Sequence, residues 1–191
     1  MKKIFLLFIA FSIFAVSCGE AGFESDISKT SEVEYNISVA DVSGTSMLSE
    51  AQSFDFADAD FSEYVADAKK FTLDKLEYEI SGLTGTSTAT LNLEVRIDFQ
   101  NNTGSSTDGD ALLTMTGVTV ANTTGPVLLY NTDATNPGLA NASVVVALEQ
   151  AILSGQAVEI EVTASKIGPD LTEDFVFKLL FDLTARVQLD D

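Results

Sequence analysis

The 191-residue chain has no histidine, no tryptophan, a single cysteine, three prolines and ten basic residues against 29 acidic ones. Each scarcity excludes a class of function. Without imidazole, general acid–base chemistry near neutral pH has only carboxylates, lysine and tyrosine to use. With one thiol, no disulfide can form within the chain, and the usual zinc site of histidines and cysteines is excluded. Without tryptophan, the aromatic platforms that sugar sites favour are missing. A carboxylate pair acting on glycosides is therefore a weak expectation, although acids are abundant. The net charge of −19 repels nucleic acid, so neither DNA nor RNA is an expected partner. These absences together lead us to expect a protein that is not an enzyme.

The most informative stretch of what is present is residues 1–20. Lys2 and Lys3 form a short basic region, and an apolar run over 4–16 follows, interrupted only by Ser12. The run is too short for a spanning helix, which needs roughly 20 apolar residues. Small residues then lead to the only cysteine, in the order Ala15-Val16-Ser17-Cys18-Gly19. This is the layout of a secretory signal peptide, and its last residues resemble the lipobox of bacterial lipoproteins. The lipobox more often places its bulky residue one position before that of Val16. The resemblance implies that residues 1–17 are removed, that Cys18 becomes the mature N-terminus, and that its thiol carries a lipid. It implies a place in the cell envelope, held to the outer membrane on its periplasmic face or at the cell surface.

With residues 1–17 removed, 174 residues remain, carrying eight basic and 29 acidic side chains, a net charge of −21. That length suffices for one domain with a sizeable core. The charge repels anionic head groups, so the membrane partner is reached through acyl chains alone. Residues 18–31 are small and acidic, with Glu20, Glu24 and Asp26, and read as the lipidated cysteine followed by a flexible tether. Acidic residues just past the cysteine also resemble the surface-export signals of Bacteroidetes-type lipoproteins. The domain itself is expected over 32–191.

Period-two alternation dominates that domain. It predicts strands over 32–42, 53–56, 71–80, 89–99, 112–121, 127–130, 157–166 and 173–189. In 71–80 the phase slips at Asp74-Lys75, which predicts a bulge. Two helices are expected. One runs from Asp58 to about Lys70, with Asp60 and Glu63 as a capping pair. The other covers 141–154, where Val144, Val145, Leu148, Ala151 and Ile152 share a face and Gly155 is placed as a cap.

The predicted fold is all-β: an antiparallel immunoglobulin-like β-sandwich of about seven strands with one or two short helices. The order of elements resembles small envelope lipoproteins of the Bacteroidetes type, a resemblance that implies no activity. Two oxygen-rich clusters are candidates for Ca2+: Asp55, Asp58 and Asp60, and the 101–110 loop with Asp108 and Asp110. Neither matches the EF-hand pattern, and caps and turns explain the same residues. No other cofactor is expected. Two functional readings remain open: a binding or structural module with an envelope protein or glycan as partner, or an assembly subunit resembling lipoprotein-derived pilins. Both make the closing strand central. Its alternation places Phe181 in the interior and Thr184 on the surface.

Overall fold

The computed structural model describes residues 23–43, 47–54, 67–85, 87–99, 110–132 and 140–189. Among the described residues there are eight strands: β1 (Phe23–Ile37), β2 (Met47–Phe54), β3 (Ala68–Ser81), β4 (Thr90–Phe99), β5 (Asp110–Thr119), β6 (Val127–Asn131), β7 (Val158–Lys166) and β8 (Phe175–Leu189). The described helix, α1 (Ala142–Leu153), lies between β6 and β7. The strands form two four-stranded antiparallel sheets, β1-β8-β3-β6 and β2-β7-β4-β5.

The protein is thus an all-β antiparallel sandwich, with eight strands among the described residues where about seven are expected. Its connectivity is not the immunoglobulin one. Among the described strands only β4 and β5 are consecutive in the chain and adjacent in one sheet; every other connection passes to the opposite sheet. That winding is a double-sheet jelly roll. Alternation reports which face of a strand is buried, not which strand lies beside it, so the two sandwiches look alike in sequence.

The two inner faces supply the core. On β4, Leu91, Leu93, Val95 and Ile97 are buried, and on β7 so are Val158, Ile160, Val162 and Ala164. On β8 the buried set is Phe175, Phe177, Leu179, Phe181, Leu183, Ala185 and Val187. Each large apolar side chain removed from water contributes roughly 1.5–3 kcal/mol, and β8 places seven inward residues in one row. Phe181 meets Phe54 of the opposite sheet with ring centroids 4.8 Å apart. The Tyr35 hydroxyl crosses the sandwich and donates to the Ile160 carbonyl. Burial pushes its pKa well above the ordinary tyrosine value, and Glu50 and Glu161 push it the same way.

The slip foreseen in β3 is present: its register against β8 shifts between Leu73 and Lys75. The α1 helix buries Val144, Val145, Leu148, Ala151 and Ile152 as one face. Asn141 caps its start by accepting from Ser143 N–H, and Gly155 follows its end at φ +65°. Three boundaries need correction. The tether read over 18–31 is strand from Phe23 onward, because the long β8 offers hydrogen-bond partners as far as Leu189, which pairs with Phe23. Lys69 and Lys70 belong to β3 and do not close a helix. β2 begins at Met47, well before the 53–56 run. The helix expected from Asp58 lies mostly outside the described residues.

Candidate functional site

The connections β1–β2, β3–β4, β5–β6 and β7–β8 all emerge at one end of the sandwich, since every pair is antiparallel and these joins share a direction. Side chains from the β7–β8 connection tie this end together. Glu173 accepts from the Thr84 N–H at 2.7 Å, the Thr84 hydroxyl at 3.0 Å and the Gly85 N–H at 3.3 Å. Asp174 accepts from the Val39 N–H at 2.8 Å. Asn122 of the β5–β6 connection both accepts from Leu83 N–H and donates to Leu83 O, at 3.1 and 2.8 Å. Four connections are thereby joined through residues 39, 83–85, 122 and 173–174.

Two further details make this end rigid. Gly168 passes so close to Thr90 that an added Cβ would lie 2.0 Å from the threonine hydroxyl oxygen, so a larger residue would force Thr90 to shift. Its neighbour Ile167 donates to Thr90 O at 3.1 Å. Two carboxylates here accept from fixed donors that favour their ionised form. Glu173 lies below the usual carboxylate range because of the Thr84 N–H first, then the Thr84 hydroxyl and Gly85 N–H. Asp41 is lowered by the Ser38 hydroxyl and then the Ser38 N–H. Lys166, the basic residue next to this end, is paired with Asp170. The result is an acidic, hydroxyl-rich surface.

The outer face of β2-β7-β4-β5 holds a second acidic feature. Asp98 of β4 is directly opposite Glu159 of β7, and Arg96 is opposite Glu161. Glu161 is only 2% exposed and Asp98 8%. Ser49 of β2 donates to Glu161 Oε1, while Glu161 Oε2 and Asp98 Oδ1 are buried without a hydrogen-bond partner. Arg96 reaches Glu94 at 2.9 Å. The alternation of 157–166 placed Glu161 on the outward face correctly, but nothing local signalled that this outward position is covered.

The residues singled out in the sequence are placed less fully. Cys18, Asp55, Asp58, Asp60 and Asp108 lie outside the described residues; Asp110 opens β5 opposite Ile97. Phe54 pairs with Val158, which pairs with Phe99, so the two chain segments bearing the Ca2+ candidates leave the same end of one sheet. Among the described residues, no three His, Cys, Asp or Glu side chains are grouped to hold a metal ion. Also among them, no helix is long and apolar enough to cross a membrane. The residues that sequence reasoning missed are Glu173, Asp174 and Asn122. Their only signal was a polar residue close to a strand end, which many positions share.

No family model matches the chain, and no curated protein does. Among solved structures it is similar to turnip yellow mosaic virus, with 9% identity, TM-score 0.43, and coverage of 94% of this chain and 89% of that one. It is also similar to Desmodium yellow mottle tymovirus, at 14% identity and TM-score 0.33, covering 100% and 98%. A decameric BFDV capsid protein is similar at 14% identity and TM-score 0.39, covering 86% and 99%.

Proposed function

We propose that this chain is a lipid-anchored envelope lipoprotein whose jelly-roll domain is a non-catalytic binding or structural module. One observation carries the reading: the sole cysteine of the chain follows a basic, apolar and small-residue leader at the position where a lipobox would have it. The absence of histidine and of any second thiol supports a domain that binds or supports and does not catalyse. The hydrogen-bonded loop end supports it as well, because residues fixed on a rigid frame bind with little ordering cost. The membrane is one partner, through the lipid on Cys18; the other is an envelope protein or glycan.

The strand-exchanging alternative gains less support. β8, the strand most suited to donation, is central in its sheet and pairs with β1 along one edge and β3 along the other. The test is Cys18→Ser in the native host. Loss of fatty-acid labelling together with accumulation of the uncleaved precursor is the expected result. Normal processing of that variant would overturn the lipoprotein reading.

A further inference from the structure

We infer that the outer face of β2-β7-β4-β5 binds a divalent cation, Ca2+ in preference to Mg2+, between Asp98 of β4 and Glu161 of β7. The site is separate from both acid clusters singled out in the sequence and does not depend on the lipid at Cys18. Glu161 is 2% exposed and Asp98 8%, and each has a buried carboxylate oxygen, Oε2 and Oδ1, without a hydrogen-bond partner. A carboxylate taken this far out of water needs a compensating charge or a full set of donors. Glu161 has one donor, the Ser49 hydroxyl on Oε1. The two partnerless oxygens share one neighbourhood. Asp98 is opposite Glu159 and Glu161 is opposite Arg96, so Asp98 and Glu161 are diagonal neighbours, about 7–8 Å apart at the backbone. Their chain neighbours Ile97, Ile160 and Val162 are buried in the core, which turns both carboxylates to the outer face. An ion roughly 2.3–2.6 Å from an oxygen of each spans about 5 Å, a gap that side chains from diagonal positions can close.

The cations of this sheet are engaged elsewhere. Arg96 and Lys166 are the only basic residues of its four strands. Arg96 stands opposite Glu161 but is bound to Glu94 at 2.9 Å, and Lys166 is paired with Asp170. At 2% exposure, Glu161 is closed to a lysine or arginine of another protein but not to a single ion. The donors are carboxylate and hydroxyl oxygens, without imidazole or thiol, a set that suits hard cations. Burial leaves little room for the waters that Mg2+ retains, which favours Ca2+. Two carboxylates make a modest site, so an affinity of roughly 0.1–1 mM is expected, the range of extracellular calcium modules.

The test is a set of thermal melts of the full-length protein in non-ionic detergent, with chelator, with millimolar CaCl2 and with millimolar MgCl2 at matched ionic strength. Calcium should raise the melting temperature by several degrees and magnesium by clearly less, because an ion that binds only the folded chain stabilises it by mass action. Equal shifts with the two ions would mean screening of a highly acidic chain and would overturn the inference. Asp98→Asn and Glu161→Gln should each lose the calcium increment, while Glu34→Gln on the other sheet keeps it. The order of two curves gives a sharper signature. In chelator Glu161→Gln should melt above the unmodified protein, since it removes a buried charge; in calcium it should melt below. Glu161→Asp keeps the charge and should move the calcium midpoint several-fold higher without abolishing it, which separates loss of a ligand from loss of the fold. A calcium increment that survives in Asp98→Asn and Glu161→Gln but is lost in the double variant Asp58→Asn/Asp60→Asn would place the ion at the sequence cluster and overturn the site. Calorimetric titration of the unmodified protein with CaCl2 closes the test: no saturable heat at millimolar calcium would overturn it as well.

Discussion

The two outer faces of the sandwich handle charge in opposite ways. On β1-β8-β3-β6 the charges form cross-strand pairs: Arg186 with Asp26 at 2.9 Å, Lys178 with Glu32 and Glu34 at 3.2 and 3.6 Å, and Lys75 with Asp182 and Glu77 at 3.4 and 3.5 Å. On β2-β7-β4-β5 four acids share the described face with Arg96, and two of them are buried with an oxygen lacking any partner. Opposite charges across a ladder stabilise a sheet modestly, and like charges oppose it. Burying a carboxylate incompletely paired costs more than a surface pair returns. On one face the cations therefore offset part of the acidity in cross-strand pairs, while the other carries a cost that the shared core must offset.

The scale for that comparison is the core itself. Phe181→Ala, which empties the ring site packed on Phe54 from the opposite sheet, should cost about 3–5 kcal/mol in denaturant melts. A loss near 1 kcal/mol would mean that the two sheets are not coupled through this ring. Next comes the acidic face. Glu161→Gln removes a buried charge and keeps an oxygen for Ser49, so it should raise stability by about 1–2 kcal/mol. Glu34→Gln on the paired face should stay within about 0.5 kcal/mol. A clear loss at Glu161 would show that its carboxylate is held by a partner in solution, and the contrast between faces would fail.

An effect smaller than at Phe181 is expected at Thr184. Alternation alone makes it an ordinary surface position, but its hydroxyl donates to Asp74 Oδ2 at 2.5 Å and lies 2.7 Å from Ser28 Oγ. Thr184→Ala should therefore cost about 1 kcal/mol, the usual worth of a hydrogen bond in a protein. A change indistinguishable from zero would return it to the surface class. The smallest effect belongs to Asp26. The hydrogen bond and charge of Arg186 hold its pKa below the ordinary aspartate value. A carboxylate depressed in the folded state contributes above its unfolded pKa, near 3.9, and the contribution fades as pH falls through the folded value. The slight loss in Asp26→Asn should thus be visible at neutral pH and low salt, and absent in acid. Melts across pH would read it, and a difference that grows in acid would contradict the pairing.

By itself the sequence determined the inward faces. Period two in 89–99, 157–166 and 173–189, the slip at Asp74-Lys75, and the apolar stripe of 141–154 between Asn141 and Gly155 are all local patterns. Each was legible because the periodicity of a strand or helix is imposed by its own backbone. The all-β class follows from their sum. The tertiary structure alone decided which strands are neighbours, because hydrogen bonding across a ladder is non-local and indifferent to side-chain identity. That is why the jelly-roll order was not readable and why residues 23–31 looked like tether. Most of them are polar, and they become strand because β8 extends beside them. The same reason hid Glu173 and Asn122, whose roles exist only once distant connections meet at one end. It also hid the cover over Glu161: alternation shows that a side chain points out of a sheet, and only the folded chain decides whether water is there to meet it.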